Sequence, residues 1–181
     1  MGRLARRLVL LLVLAMPLWV SASGAQGANS TQALAPGSPR VRGSDPIIAG
    51  AIEQAAEQSP TFNQLVTAIA TTNGIVYVHF GECGRNVRAC LLLGITQAGS
   101  NRILHIKVDR RRRGQDLMVV IGHELSHAVE LLNEATVVDA TTAQNFYRRN
   151  AAIERYSFET EAAIEIELKI DKELRRWANQ R

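Results

Sequence analysis

His123, Glu124 and His127, inside the apolar run 116–133, are the residues whose types and spacing point most directly to chemistry. The stretch Gly122-His123-Glu124-Leu125-Ser126-His127 reads H-E-x-x-H. On a helix, two histidines four residues apart lie about 40° apart around the axis and one turn apart along it, so both imidazoles reach one metal ion. The glutamate between them stands beside that ion, placed to take a proton from a water molecule. Five letters of sequence are not proof of a site, so the surroundings of the motif must carry the argument.

The helical wheel supplies the first of these surroundings. Leu117, Val120 and Leu131 share the side of the two histidines, and Ile121, Leu125, Ala128 and Leu132 cover much of the rest. A helix that is apolar almost all round is buried, which carries His123, Glu124 and His127 into the interior or a cleft. Unpartnered polar groups there cost about 1–3 kcal/mol each. One metal ion satisfies both imidazoles; the plainer alternative is a pair of hydrogen-bonded core histidines with Glu124 against an arginine.

A catalytic zinc site needs a third protein ligand and an open position. His79 and His105 lie on predicted strands and read better as solvated or hydrogen-bonded side chains. The stronger candidate is Glu159. On a predicted helix from about 156 to 178, Ala163, Ile166, Ile170, Leu174 and Trp177 fall within about 60° of Glu159, which therefore heads the apolar stripe. Glu161 falls at about 200°, near Glu165, Lys172 and Arg176, on the solvated face, and is the fallback ligand.

His123-Glu124-Leu125-Ser126-His127 followed by Glu159-Thr160-Glu161-Ala162 on a later helix resembles the gluzincin-type zinc metallopeptidases, several of which carry the third ligand in an E-x-x-A segment. The metzincin pattern is excluded, because Glu130 and Asn133 stand where it requires glycine and histidine. The resemblance spans roughly residues 100–165. It implies one Zn²⁺ ion held by His123, His127 and Glu159, Glu124 as general base, and a peptide or protein substrate lying along an edge strand over the motif helix. Residues 102–108 stand where that strand is expected. Many E-x-x-A families continue with aspartate where this chain has Ala163, so the carboxylate that orients a ligand histidine must come from elsewhere; Glu130 is the candidate.

The elements that must position these groups follow from periodicity. Ser44-Asp45-Pro46 and Ser59-Pro60 are cap signals for two amphipathic helices, the second ended by Asn73-Gly74. Three strands are expected, at residues 75–80, 89–96 and 102–108; in the last, Leu104, Ile106 and Val108 point one way and Ile103, His105 and Lys107 the other. A short helix over 140–149 turns Phe146 and Tyr147 inward. The run Arg110-Arg111-Arg112-Arg113 reads as a solvated turn, or as a cationic rim for acidic substrate or phospholipid headgroups. Tyr156 reads as an ordinary surface or core tyrosine, with donation to an oxyanion as its functional alternative. The order of elements predicts an α+β fold with a small three-stranded sheet packed on the motif helix and a long C-terminal helix, and the resemblance implies that it is a minimal zincin-like domain.

At the scale of the chain, 181 residues that are 46% hydrophobic suffice for one domain with a sizeable core. The first 25 residues have the three parts of a secretory signal: Arg3, Arg6 and Arg7, then an apolar stretch from Leu8 to Val20, then small residues to Ala25. The apolar part falls short of the roughly twenty residues that span a bilayer. Residues 26–43 read as a disordered lead-in and 44–181 as the metallopeptidase domain. Removing the three signal arginines from the formal charge of +4 leaves +1, which gives no case for nucleic-acid binding. Membrane contact is expected only through an uncleaved signal, and the destination is the periplasm or the extracellular space. Export favours a disulfide between Cys83 and Cys90, the only two cysteines.

Overall fold

Asp45 and Pro46 start the first helix. The Asp45 carboxylate accepts the Ile47 N–H at 2.8 Å, and the proline occupies a position where no backbone donor is needed. The arrangement recurs at Ser59-Pro60, where the serine hydroxyl accepts the Phe62 N–H at 3.0 Å. Helices α1 (Pro46–Gln58) and α2 (Pro60–Ala70) bury Ile48, Ala51, Ile52, Ala55, Phe62, Leu65 and Ile69. The computed structural model describes residues 38–150 and 158–181, all within one unit of the chain, Ala33–Arg181. The expected signal, most of the lead-in and Tyr156 lie outside the described residues.

The sheet has four strands, not three: β1 (Val41–Gly43), β2 (Gly74–Phe80), β3 (Ala89–Ala98) and β4 (Asn101–Val108), in the order β1-β2-β4-β3. The lead-in thus gives way to structure before residue 44. Three residues are too few for a period of two to show in a sequence, yet β1 pairs in parallel with β2, Val41 beside Val76 and Gly43 beside Val78. β2 and β4 are also parallel. β3 runs antiparallel to β4 through a tight turn in which Gly99 adopts a φ of 60°, a left-handed conformation favoured by glycine.

Residues 102–108 do not form the edge expected of them. After β2 the chain skips one strand position, and the β3–β4 hairpin folds β4 back into the gap, so β3 takes the edge. The alternation along β4 is as read: Leu104, Ile106 and Val108 are buried, while Ile103, His105 and Lys107 are half-buried on the other face. His79 and His105 meet edge to face on that outer face, with ring centroids 5.6 Å apart.

Three further helices follow, α3 (Gly114–Asn133), α4 (Ala140–Asn150) and α5 (Glu161–Ala178), giving a mixed α/β fold of five helices among the described residues. None is long and apolar enough to cross a membrane. α3 lies against β2, β3 and β4, and α5 packs on α3. Gly122 makes that packing close: a Cβ there would stand 2.4 Å from Cδ1 of Ile170 and 3.2 Å from Cδ2 of Phe62. At its far end α3 is fastened to the sheet. The buried Arg102 guanidinium donates to the carbonyls of Leu131 (3.1 Å), Leu132 (2.5 Å), Glu134 (2.8 Å) and Val137 (2.9 Å), satisfying groups that a helix C-terminus leaves open. The Cys83–Cys90 disulfide closes the loop between β2 and β3.

The C-terminal helix begins at Glu161 rather than near residue 156. Thr160 is its cap, accepting the Ala163 N–H at 3.2 Å, and Glu159 stands just ahead of it, outside the helix. Ala163, Ile170 and Leu174 of the expected stripe are buried; Ile166 and Trp177 are half-buried.

Candidate metal centre

α3 is buried almost all round, as its sequence requires, and His123, Glu124 and His127 are 8%, 7% and 6% exposed. The two imidazoles, one helical turn apart, meet edge to face with centroids 4.9 Å apart. Their Nε2 atoms turn toward Glu159, whose Oε2 lies 3.1 Å from Nε2 of His123 and 3.9 Å from Nε2 of His127. One ligand atom from each of the three residues falls within 4.8 Å of the others. Two imidazole nitrogens and one carboxylate, converging from a helix and from the residue before a helix cap, could hold a metal ion.

The far side of each ring has its own carboxylate. His127 Nδ1 is hydrogen-bonded to Glu130 Oε2 at 3.0 Å, and Glu130 Oε1 in turn accepts the Thr160 hydroxyl at 2.5 Å. His123 Nδ1 lies 2.9 Å from Glu167 Oε2, though out of line with the ring N–H, which otherwise has no partner. Glu167 Oε1 accepts from Arg88 at 2.6 Å. With Nδ1 directed at a carboxylate, each Nε2 is left to coordinate.

Electrostatics point the same way. Burial is the largest influence on both histidines and would lower their pKa values, but the surrounding carboxylates outweigh it. Glu159 and Glu167 push His123 up to about 10, and Glu130 with Glu159 pushes His127 up to about 9. The Glu159 carboxyl is held well below the usual range by His123 and His127, and Glu167 down to about 2 by His123 and Arg88. Four carboxylates around two imidazoles therefore make a pocket that favours positive charge, and a divalent cation fits that demand.

Glu124 faces differently. Burial pushes its carboxyl upward, and Oε2 accepts the Leu91 N–H at 2.6 Å. In the alternating pattern of the β3–β4 pair, Leu91 points its N–H away from β4, so Glu124 binds the free edge of the sheet. Beside it opens a cleft of about 350 Å³, walled by Val87, Arg88, Ala89, His123, Glu124 and Glu159. The cleft exposes the start of β3, His123, Glu124 and Glu159 to one space.

Among the residues picked out from sequence, His123, His127, Glu159, Glu124 and Glu130 come together. Glu161 is exposed on α5 and is not part of the cluster, and His79 and His105 lie on the outer face of the sheet. Glu167 was not foreseen. Its signal was available: on α5 it falls about 40° from Ala163, at the margin of the buried stripe, where a half-buried carboxylate needs a partner. Arg88 carried no such signal, because the disulfide loop alone brings it to the cleft.

No protein-family model matches the chain, and no curated protein and no solved structure shows significant similarity to it.

Proposed function

We propose that the protein is an exported zinc-dependent metallopeptidase of the gluzincin type, cleaving peptide bonds in a peptide or protein substrate. The observation that carries this reading is the convergence of His123, His127 and Glu159 beside Glu124 at the mouth of a cleft that borders a free strand edge. The donor set suits zinc, whose catalytic sites take three protein ligands from histidine and carboxylate and keep one position open. Zinc bound there would lower the pKa of a water toward about 7 and polarise a substrate carbonyl. His123, His127 and Glu159 would supply the ligand atoms. Glu130 and Glu167 would keep each imidazole turned with Nε2 toward the ion. Glu124, whose carboxyl group burial already inclines toward the protonated form, would accept the proton of the attacking water and deliver it to the departing amine. Ala89 and Leu91, at the free edge of β3, would align the substrate backbone as an added strand. The disulfide agrees with an oxidising destination.

A second reading, a zinc-stabilised binding or regulatory protein of the cell envelope, is favoured by one observation: Glu124 is already hydrogen-bonded to Leu91. A peptide-library digestion separates the two. The peptidase reading expects cleavage that stops with chelator and returns with Zn²⁺, and a Glu124→Gln variant that retains the metal without cleaving. A parent that binds zinc stoichiometrically but cleaves nothing supports the binding protein; a Glu124→Gln variant as fast as the parent would sink the assigned mechanism.

A further inference from the structure

We propose that Glu167 is the positioning carboxylate of His123 and that the Cys83–Cys90 hairpin, acting through Arg88, holds it in place, so that metal affinity depends on the disulfide. The inference rests on the metal site proposed above and concerns residues outside its ligand set.

The two histidines are supported unequally. Glu130, on the same helix as His127, is fixed by the Thr160 hydroxyl, which itself caps α5. His123 has no such neighbour on α3. Its Nδ1 is a buried nitrogen whose nearest carboxylate is Glu167, from the second turn of α5. Glu167 is tied in turn to Arg88 at 2.6 Å, and Arg88 also approaches Asp116 on α3 at 3.9 Å. Arg88 stands two residues before Cys90, in a loop that Cys83 closes from the other side. Within that loop Asn86 adopts a left-handed φ of 63°, a conformation that a closed ring retains and an open loop is free to leave. A continuous path therefore runs from the disulfide through Arg88 and Glu167 to a ligand histidine.

Partners of ligand histidines typically contribute ten- to a hundredfold in metal affinity. The test is Zn²⁺ affinity measured by competition with a chromophoric chelator, together with the visible spectrum of the Co²⁺-substituted protein. It covers the parent, Glu167→Ala, Glu167→Gln, Arg88→Ala and Cys83→Ser/Cys90→Ser, with circular dichroism verifying each fold. Glu167→Ala should bind Zn²⁺ about ten- to a hundredfold more weakly and shift the Co²⁺ bands, with Glu167→Gln between it and the parent because the amide oxygen still accepts the Nδ1–H. Arg88→Ala and the disulfide-free variant should lose affinity in the same direction, and neither should lower it further when combined with Glu167→Ala. Unchanged affinity and spectrum in Glu167→Ala would overturn the role of Glu167; a disulfide effect that adds in full to Glu167→Ala would overturn the connection. A parent that binds no Zn²⁺ fails the metal-site reading itself, a result distinct from both.

Discussion

Two imidazoles and four carboxylates converge where α3 meets the start of α5, and the carboxylates stand in three different relations to the rings. Glu159 completes a group of three side chains that could hold a metal ion, Glu130 and Glu167 stand behind the rings, and Glu124 binds the free edge of β3. Glu159 and Glu161 are two residues apart, yet only the first reaches the histidines, because Thr160 begins the helix between them and turns Glu161 to solvent. Glu159→Ala should therefore weaken Zn²⁺ binding by about a hundredfold or more, whereas Glu161→Ala should leave it within about twofold of the parent, both read by chelator competition. The sequence led to Glu159 by a route that the fold revises. A helical stripe drawn through Glu159 crosses a residue that lies outside the helix, and it still points to that residue, since the stripe's head and the helix cap occupy the same corner. Glu167 borders that stripe, half-buried, and a single-ligand reading of the stripe has no place for it.

The element that matters most is α3, and its sequence was readable because one helix buries nearly every side: a period of 3.6 with few polar breaks leaves its position little freedom. What fastens it was not readable. Arg102 sits on a strand whose other inward residues are aliphatic, and only the fold shows that its guanidinium meets four carbonyls at the end of α3. Arg102→Met should lower stability by about 3 kcal/mol or more in chemical denaturation, since several buried carbonyls lose their donor at once. At the other contact, Gly122→Ala forces its new methyl into Ile170 on α5. It should destabilise by about 1–3 kcal/mol and, standing next to His123, should also weaken metal binding, where an exposed Gly50→Ala should do neither. The strand order was illegible for a related reason. Both hairpin strands are apolar enough for either place in the sheet, and the chain's return into the gap beside β2 is a tertiary choice that no local period encodes.

At the scale of the molecule, the four-stranded sheet and the helices packed on it enclose the core, and the C-terminal helix ties the first two helices to the site. Glu173 makes that tie. Its carboxylate accepts the Ser59 hydroxyl at 2.6 Å, the Thr61 N–H at 3.0 Å and the Thr61 hydroxyl at 2.7 Å, across the α1–α2 junction. Burial, the largest influence, would raise its pKa, but these hydrogen bonds outweigh it and hold the carboxyl below its ordinary 4.5. A group whose pKa falls on folding stabilises above its unfolded value and loses that contribution as pH falls through the folded one. The parent should thus lose stability relative to Glu173→Gln as pH drops below about 4.5, and the difference between their melting temperatures should narrow on the acid side while staying level near neutrality.

Everything proposed for this protein rests on His123, His127 and Glu159 binding one zinc ion. Anomalous diffraction recorded on both sides of the zinc edge, from crystals of the zinc-loaded protein, tests it most directly. A single strong peak is expected about 2 Å from Nε2 of both histidines and from a carboxylate oxygen of Glu159. A zinc-loaded crystal with no peak between the histidines, or with a peak completed by Glu161, would contradict it.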